Sequence, residues 1–207
     1  MGAVVVSKLN IKKYIFEPIN SVMYVLISET KALVIDPNIS RDAEIYLKKH
    51  SVDDVLILLT HEHCDHISGV NWFRKQFNTT VLCSKRCAEN IANSHRNFSE
   101  YFNILIEGRD TDFTMDPFTC TADEVFETDL EFNWNEHKIY LKEAPGHSKG
   151  SSIIILDNKY LFSGDYLIPD NRVFTKIPGG SKKDYEEKTC PYLESIKDKM
   201  IVMSGHI

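Results

Sequence analysis

Three histidines and an aspartate fall within Thr60-His61-Glu62-His63-Cys64-Asp65-His66, directly after the apolar run Val55-Leu56-Ile57-Leu58-Leu59. The chain has eight histidines in all, so three within six residues point to a local chemical requirement rather than to composition. Imidazole nitrogens and carboxylate oxygens are the donors that borderline divalent cations such as zinc prefer. If the segment is extended, His61, His63 and Asp65 alternate at i, i+2 and i+4 and face a common side. The plainer alternative, a polar loop with incidental histidines, leaves that ligand-like spacing unexplained. Cys64 lies between ligands and is expected to be a small packing residue rather than a thiolate donor.

Three more polar motifs each close an apolar strand: Gly146-His147, Gly164-Asp165 and Gly205-His206. Glycine lets a backbone turn sharply and approach a buried ion with no Cβ in the way. One such histidine alone would read as a capped turn or a surface residue, and it is the completeness of the set that argues for a site. Ser148 beside His147 invites a Ser-His-Asp triad, but that arrangement needs an imidazole free of metal and is set aside. His50, His95 and His137 lie outside every motif and are expected to face solvent.

The elements that must carry these motifs alternate between strand and helix. Val22–Ile27 and Ala32–Ile35 read as a hairpin around Ser28-Glu29-Thr30-Lys31, and Asp36-Pro37-Asn38 ends the second strand. Ser40 is a good N-cap for a helix through about His50. Val55–Thr60 has no polar alternation, as expected of a strand covered on both faces. Helices over 69–77 and 85–93 flank a strand at Thr79–Cys83. Further strands follow at 129–134, 138–142, 153–156, 160–162 and 200–203, with a helix over 183–199. Such alternation argues for a layered α/β fold. Residues 94–120 are irregular and rich in aromatics, and are either a local core under a long loop or an aromatic-lined lid over a cleft.

Length and composition set the outer bounds. The 207 residues are expected to form one domain over 1–207, without internal linker or repeat. A net charge of −6 argues against a nucleic-acid partner. No run approaches membrane-spanning length, and Val4-Val5-Val6 is too short for a signal-peptide core. Gly2 is not followed by Ser or Thr at position 6, as a myristoylation signal requires. Five scattered cysteines suggest reduced thiols, hence a cytoplasmic protein.

The order His-x-His-x-Asp-His, Gly-His, Gly-Asp, Gly-His resembles the metallo-β-lactamase-fold superfamily over essentially the whole chain. Ile35-Asp36-Pro37, Pro145-Gly146-His147-Ser148 and Arg172 followed by Pro178-Gly179-Gly180 look like its hydroxyacylglutathione-hydrolase-like (glyoxalase II-like) branch. The resemblance implies a four-layer αβ/βα sandwich with two divalent metals at one edge, zinc in the first place, with iron or manganese as alternatives. It implies that His61, His63 and His147 hold the first metal, that Asp65, His66 and His206 hold the second, and that Asp165 bridges. Two cations would acidify a shared water, making hydroxide available near neutrality. Asp65 and Asp165 would then be the catalytic carboxylates, Asp65 orienting the nucleophile or shuttling its proton. Asp36 would orient a ligand.

The function expected from this resemblance is hydrolysis of an ester, thioester, lactone or amide bond of a small molecule, a thioester being favoured. The chain stops one residue after His206, where glutathione-thioester hydrolases carry a further helical domain, so glyoxalase II activity itself is not expected. Two alternatives share the fold: an iron-dependent oxidoreductase of the persulfide-dioxygenase kind, and a nuclease or phosphodiesterase. Tyr166, Arg172 and Lys176 are the candidate substrate contacts. A homo-oligomer is left open.

Overall fold

Strands that are apolar at both parities must be covered on both faces, and two stacked sheets with helices outside meet that demand. The computed structural model describes residues 9–207, so Gly2 and the Val4-Val5-Val6 run lie outside the described residues. The first sheet runs in the order β1 (Ile11–Phe16), β2 (Ser21–Ser28), β3 (Lys31–Ile35), β4 (Asp54–Leu58), β5 (Asn78–Ser84), β6 (Glu124–Phe126). It is antiparallel as far as β3 and parallel from there. The second places β7 (Leu130–Trp134), β8 (His137–Glu143), β9 (Ser152–Leu156), β10 (Tyr160–Gly164) and β11 (Ile201–Ser204) side by side, with only the β10–β11 pair parallel.

Residue parity assigns the layers. Val22, Tyr24 and Leu26 of β2 join Trp134, Ile139, Ile154 and Phe162 in the core between the sheets. Met23 and Val25, one residue out of phase, join the helices on the outer face of the first sheet. Those helices are α1 (Arg41–Lys49), α2 (Cys64–Ile67), α3 (Val70–Gln76) and α4 (Lys85–Ile91), which bury Ala43, Leu47, Phe73 and Ile91 against that sheet. Ser40 caps α1 as expected, its Oγ accepting from Ala43 N–H at 3.2 Å. The outer face of the second sheet, with Ile153, Ile155 and Leu161, is covered by Leu193 and Ile196. The result is a single α/β domain, the expected αβ/βα sandwich.

Three local features differ from the expectation. β1 and β6 are edge strands in which lysine or glutamate interrupts the apolar pattern; charged edges discourage pairing with other chains and obscure the strand signal. Residues 94–120 hold a short helix, α5 (Phe102–Leu105), and bury Phe102, Ile106 and Met115 with Phe16 and Cys64. The helix expected over 183–199 is a succession of short pieces: α6 (Lys182–Asp184), a wide turn over Tyr185–Thr189, and α7 (Cys190–Ile196). Pro191 lacks the N–H that would close the preceding turn regularly. Among the described residues no helix is long and apolar enough to cross a membrane, and all five cysteines are free.

Phe162 is the keystone between the sheets, 1% exposed and 5.2 Å from the Tyr24 ring in an edge-on contact. Phe162→Ala is expected to cost about 3–5 kcal/mol through lost burial and the cavity left behind. Urea unfolding followed by circular dichroism measures this, and an unchanged midpoint would contradict the placement.

Candidate metal centre

The strand ends converge on one edge of the sandwich. After β4 the chain bends at Thr60, and α2 then begins at Cys64 with His63 at its N-cap position in extended backbone, φ −66° and ψ 143°. That helical turn overrules the alternation expected of the segment. His61 and His63 stay together, while Asp65 and His66 are swung to a second position. β10 delivers Asp165 through Gly164, which sits at φ +54°, and a Cβ there would lie 2.8 Å from Thr60 Oγ1. Gly205 N–H donates to Gly164 O at 2.7 Å, so β11 can bring His206 beside Asp165.

Two groups of donor atoms result. His61, His63, His147 and Asp165 form one, and Asp65, His66 and His206 the other. In the first, His63 Nδ1 lies 3.0 Å from both His61 Nε2 and His147 Nε2. In the second, His66 Nε2 lies 3.2 Å from His206 Nε2. Asp165 faces both, with Oδ2 3.2 Å from His147 Nε2 and Oδ1 3.1 Å from His66 Nε2 and 3.3 Å from His206 Nε2. Asp65 Oδ2 stands 3.2 Å from His66 Nε2.

These atoms fit metal ions. Donors about 2.0–2.1 Å from a tetrahedral zinc stand roughly 3.3 Å apart, close to the spacings seen here. Asp65 Oδ2 and Asp165 Oδ1 are buried with no hydrogen-bond partner. Close approach without hydrogen-bond geometry is what atoms facing a common central ion would show. A third group, Asp36, His61 and His66, is also within ligand spacing, but its carboxylate is already committed to hydrogen bonds.

Asp36 fixes which imidazole nitrogens face inward. It turns sharply at the end of β3, at φ +52°. Its Oδ1 accepts from Thr60 N–H at 2.7 Å, and its Oδ2 accepts from Thr60 Oγ1 at 2.6 Å and from His66 Nδ1 at 3.0 Å. Thr60 Oγ1, having given its proton to Asp36, accepts from His61 Nδ1 at 3.0 Å. His147 Nδ1 donates to Phe174 O at 2.8 Å, and His206 Nδ1 to Ile19 O at 3.1 Å. In each of these four rings Nδ1 is taken up by a neighbouring oxygen and Nε2 is turned towards the centre, the orientation that metal-binding histidines require.

Charge reinforces the arrangement. Burial, with the neighbouring His66 and His63 next, pushes His61 well below the usual histidine range. Burial and then His147 bring His63 down to about 3. Burial opposes ionisation of Asp65, yet His66 and His206 hold it down at about 2. Burial also opposes charge on His66, but Asp65, Asp165 and Asp36 overcome it and raise that ring. The carboxylates are ionised and the first group's pair His61 and His63 is neutral, which is the ligand form of both side chains.

The site opens into a cleft of about 900 Å³ whose wall includes His63, Asp65, His147, Asp165 and His206. Residues 94–120 form the local core considered from the sequence and also contribute to the cleft wall. Their inner side is a local core, and His95, Arg96, Phe98, Tyr101, Ile104 and Leu105 line the cleft. His95 is thus a cleft residue, while His137 pairs with Asp157 at 2.8 Å. Ser148 donates to Glu62 Oε2 at 2.8 Å and takes no part in a triad.

The expected substrate contacts fall elsewhere. Tyr166 is 1% exposed, and its hydroxyl donates to Ala144 O at 2.6 Å while accepting from His147 N–H at 2.8 Å. Engaged on both sides, it positions His147 and has no free donor for an oxyanion. Arg172 and Lys176 are exposed and are not among the residues lining the cleft, although their neighbours Phe174, Ile177, Pro178 and Gly179 are. The cationic lining comes instead from Arg86, Arg96 and Lys149. The sequence reading also passed over Thr60, although it stands directly before the ligand run, and Glu62, which accepts from Ser148 and from Asn90 Nδ2 at 2.8 Å each. A polar residue between ligand positions was the available signal for Glu62.

A family model described as "Metallo-beta-lactamase superfamily" matches residues 16–206. The "Probable metallo-hydrolase YqgX" of Bacillus subtilis is 28% identical over 191 residues, covering 91% of this chain and 86% of that protein. A "Hydroxyacylglutathione hydrolase" of Glaesserella parasuis is 25% identical over 188 residues, covering 89% of this chain and 64% of that protein's length. Among solved structures, the BLEG-1 B3 metallo-beta-lactamase superposes with a TM-score of 0.76 at 27% identity, over 96% of this chain and 92% of that one.

Asp36→Asn places an amide N–H₂ against one of the donors that the carboxylate now accepts from. Apparent metal affinity is expected to fall about 10–100-fold with the circular dichroism spectrum unchanged. Competition with a chromogenic chelator measures it, and unaltered affinity would remove Asp36 from any orienting role.

Proposed function

The chain belongs to the metallo-β-lactamase superfamily, and from that premise we propose that it is a binuclear metal-dependent hydrolase. Its substrate is a small molecule with a scissile ester, thioester, lactone or amide bond, and a thioester is favoured. The observation that carries this reading is the pair of buried oxygens, Asp65 Oδ2 and Asp165 Oδ1, which lie 3.2 and 3.1 Å from His66 Nε2 and have no hydrogen-bond partner. His61, His63 and His147 would hold one metal, Asp65, His66 and His206 the other, and Asp165 would serve both. Zinc suits these nitrogen and oxygen donors, with iron or manganese as alternatives.

Two such cations supply Lewis acidity and a water acidic enough to act as a nucleophile near neutral pH. The chain's own residues do the rest. Asp165, with one oxygen towards each group, keeps the two positions at a fixed separation. Asp65 borders both the second group and the cleft, so its carboxylate can take the nucleophile's proton and pass it to the leaving group. Tyr166 and Phe174 O hold His147 in one orientation and tautomer. The cleft has the size and mixed polarity of a small-molecule site. Free cysteines suit a reducing compartment such as the cytoplasm.

The convergence of two separate ligand groups favours this reading over a mononuclear iron oxidoreductase. Zinc-loaded and iron-loaded protein should be tested against acyl-thioester, lactone, phosphodiester and persulfide panels, with metal counted by elemental analysis. Thioester or lactone turnover by the zinc form is the expected result. Oxygen uptake with persulfides by the iron form, or phosphodiester cleavage alone, would overturn it. Asp165→Ala is expected to lose metal and all turnover together while keeping its circular dichroism spectrum. Hydrolysis by a metal-free Asp165→Ala protein would refute the mechanism.

A further inference from the structure

Two cations on the cleft wall take no part in the chemistry above. Arg96 and Lys149 are exposed and line the cleft, and neither has an ion-pair partner among the described residues. The third cation there, Arg86, is already paired with Glu89 at 2.7 Å. Both free cations leave from backbone tied to the ligand loops. Arg96 N–H donates to Asn93 Oδ1 at 3.0 Å, and the carbonyl of the next residue, Asn97, accepts from Cys64 N–H at 2.8 Å. Lys149 stands two residues after His147, between Ser148, which donates to Glu62, and Gly150, whose carbonyl accepts from Ser84 Oγ at 2.7 Å.

Beside these charges the cleft presents apolar surface. Phe98 lies against His63 with ring centroids 4.8 Å apart. Ile104, Leu105 and Phe174 line the same cleft and are 68%, 54% and 60% exposed. Large apolar side chains left exposed on one concave surface mark a place where apolar ligand surface is buried. The chain as a whole carries a net charge of −6, so two cations without ion-pair partners in the lining of one cleft are a local departure from the protein's own charge.

We infer that the cleft selects amphiphilic anions: Arg96 and Lys149 hold a carboxylate or phosphate, and the apolar segment of the same molecule lies over Phe98, Ile104, Leu105 and Phe174. For the bond that is broken this rests on the hydrolase reading; for the charge preference it does not. Arg96 and Lys149 are thus specificity-determining residues, since a charged group in an apolar-walled cleft gains charge-assisted hydrogen bonds that a neutral analogue lacks.

The test separates binding from turnover. With metal-loaded protein, calorimetry measures Kd for 3-(hexylthio)propionate, its neutral carboxamide and hexyl phosphate, none of which has a thioester to cleave. Parallel kinetics compare S-hexanoyl-3-mercaptopropionate with its carboxamide counterpart. The anion is expected to be preferred at least about tenfold in Kd and in KM, the scale of one charge-assisted hydrogen bond. Whichever of the carboxylate and the phosphate binds more tightly identifies the anion. In the Arg96→Ala/Lys149→Ala protein the ratio should fall towards one, and in the Arg96→Lys/Lys149→Arg protein it should return. Equal binding of anion and amide by the unaltered protein would overturn the inference. So would a preference that persists in the double alanine variant, because the metals themselves would then be holding the anion. If no thioester is turned over while the thioether preference still depends on Arg96 and Lys149, the hydrolase reading fails and the anion site stands.

Discussion

The Asp36 carboxylate is the contact on which the centre depends. It gathers Thr60 N–H, Thr60 Oγ1 and His66 Nδ1 onto two oxygens, 3% exposed, at the end of β3. A buried carboxylate is costly unless its lone pairs are satisfied, and here three donors satisfy them. Through those donors one residue sets the tautomer of His66 directly and of His61 by way of Thr60. The strand register matters for the same reason. β3 and β4 are parallel with Ile35 opposite Leu58, which carries Asp36 level with Leu59 and within reach of Thr60. A slip by one residue would move the carboxylate to the other face of the sheet.

From that anchor outward the centre is held by backbone rather than by flexible side chains. Phe174 O and Ile19 O accept from His147 and His206, and Gly205 pairs with Gly164 to fix the spacing of the last two ligands. Asp65 Oδ2 and Asp165 Oδ1 are buried with no hydrogen-bond partner, and leaving such atoms unpaired carries a cost. A ligand that relieves that cost binds the folded chain alone, so metal affinity and folding stability are linked.

The residues of the two donor groups were legible in the sequence because they are confined to a few short motifs at strand ends, and residue type alone limits what such a set can do. The division into two groups was less legible from spacing, since the i, i+2, i+4 alternation of His61, His63 and Asp65 presumed an extended segment that α2 interrupts. The four layers followed from Val55–Thr60 and its neighbours, where apolar residues at both parities demand two covers. The edge strands β1 and β6 did not, because the charges that keep an edge from pairing with another chain remove the very pattern that identifies a strand. Substrate contacts were the weakest part. Tyr166 beside Asp165 looked available, and only the three-dimensional fold places its hydroxyl between Ala144 O and His147 N–H. Arg96 and Lys149 gave no sign, since an exposed cation in a loop reads the same whether or not it faces a cleft.

The molecule thus separates chemistry from selection. The ligands sit on strand ends and on α2, elements locked by the sheets and by buried hydrogen bonds. Part of the cleft wall comes from 94–106 and 172–180, where Arg96, Ile104, Leu105 and Phe174 are exposed and can change at small cost to stability, while Phe102 and Ile106 of the same stretch are buried. A substitution at Phe174 or Arg96 alters what surrounds the substrate and leaves the His147 tautomer intact, because it is the Phe174 carbonyl and not its side chain that fixes that ring. The proposed hydrolysis asks the same of the donors for an ester, thioester, lactone or amide bond: all four would place a carbonyl carbon before a nucleophile, and they differ in what lies beyond it. In this chain what lies beyond is an aromatic floor with two unpaired cations at its edge. The candidate metal donors are therefore largely buried, whereas Arg96, Lys149, Ile104, Leu105 and Phe174 on the cleft wall are exposed.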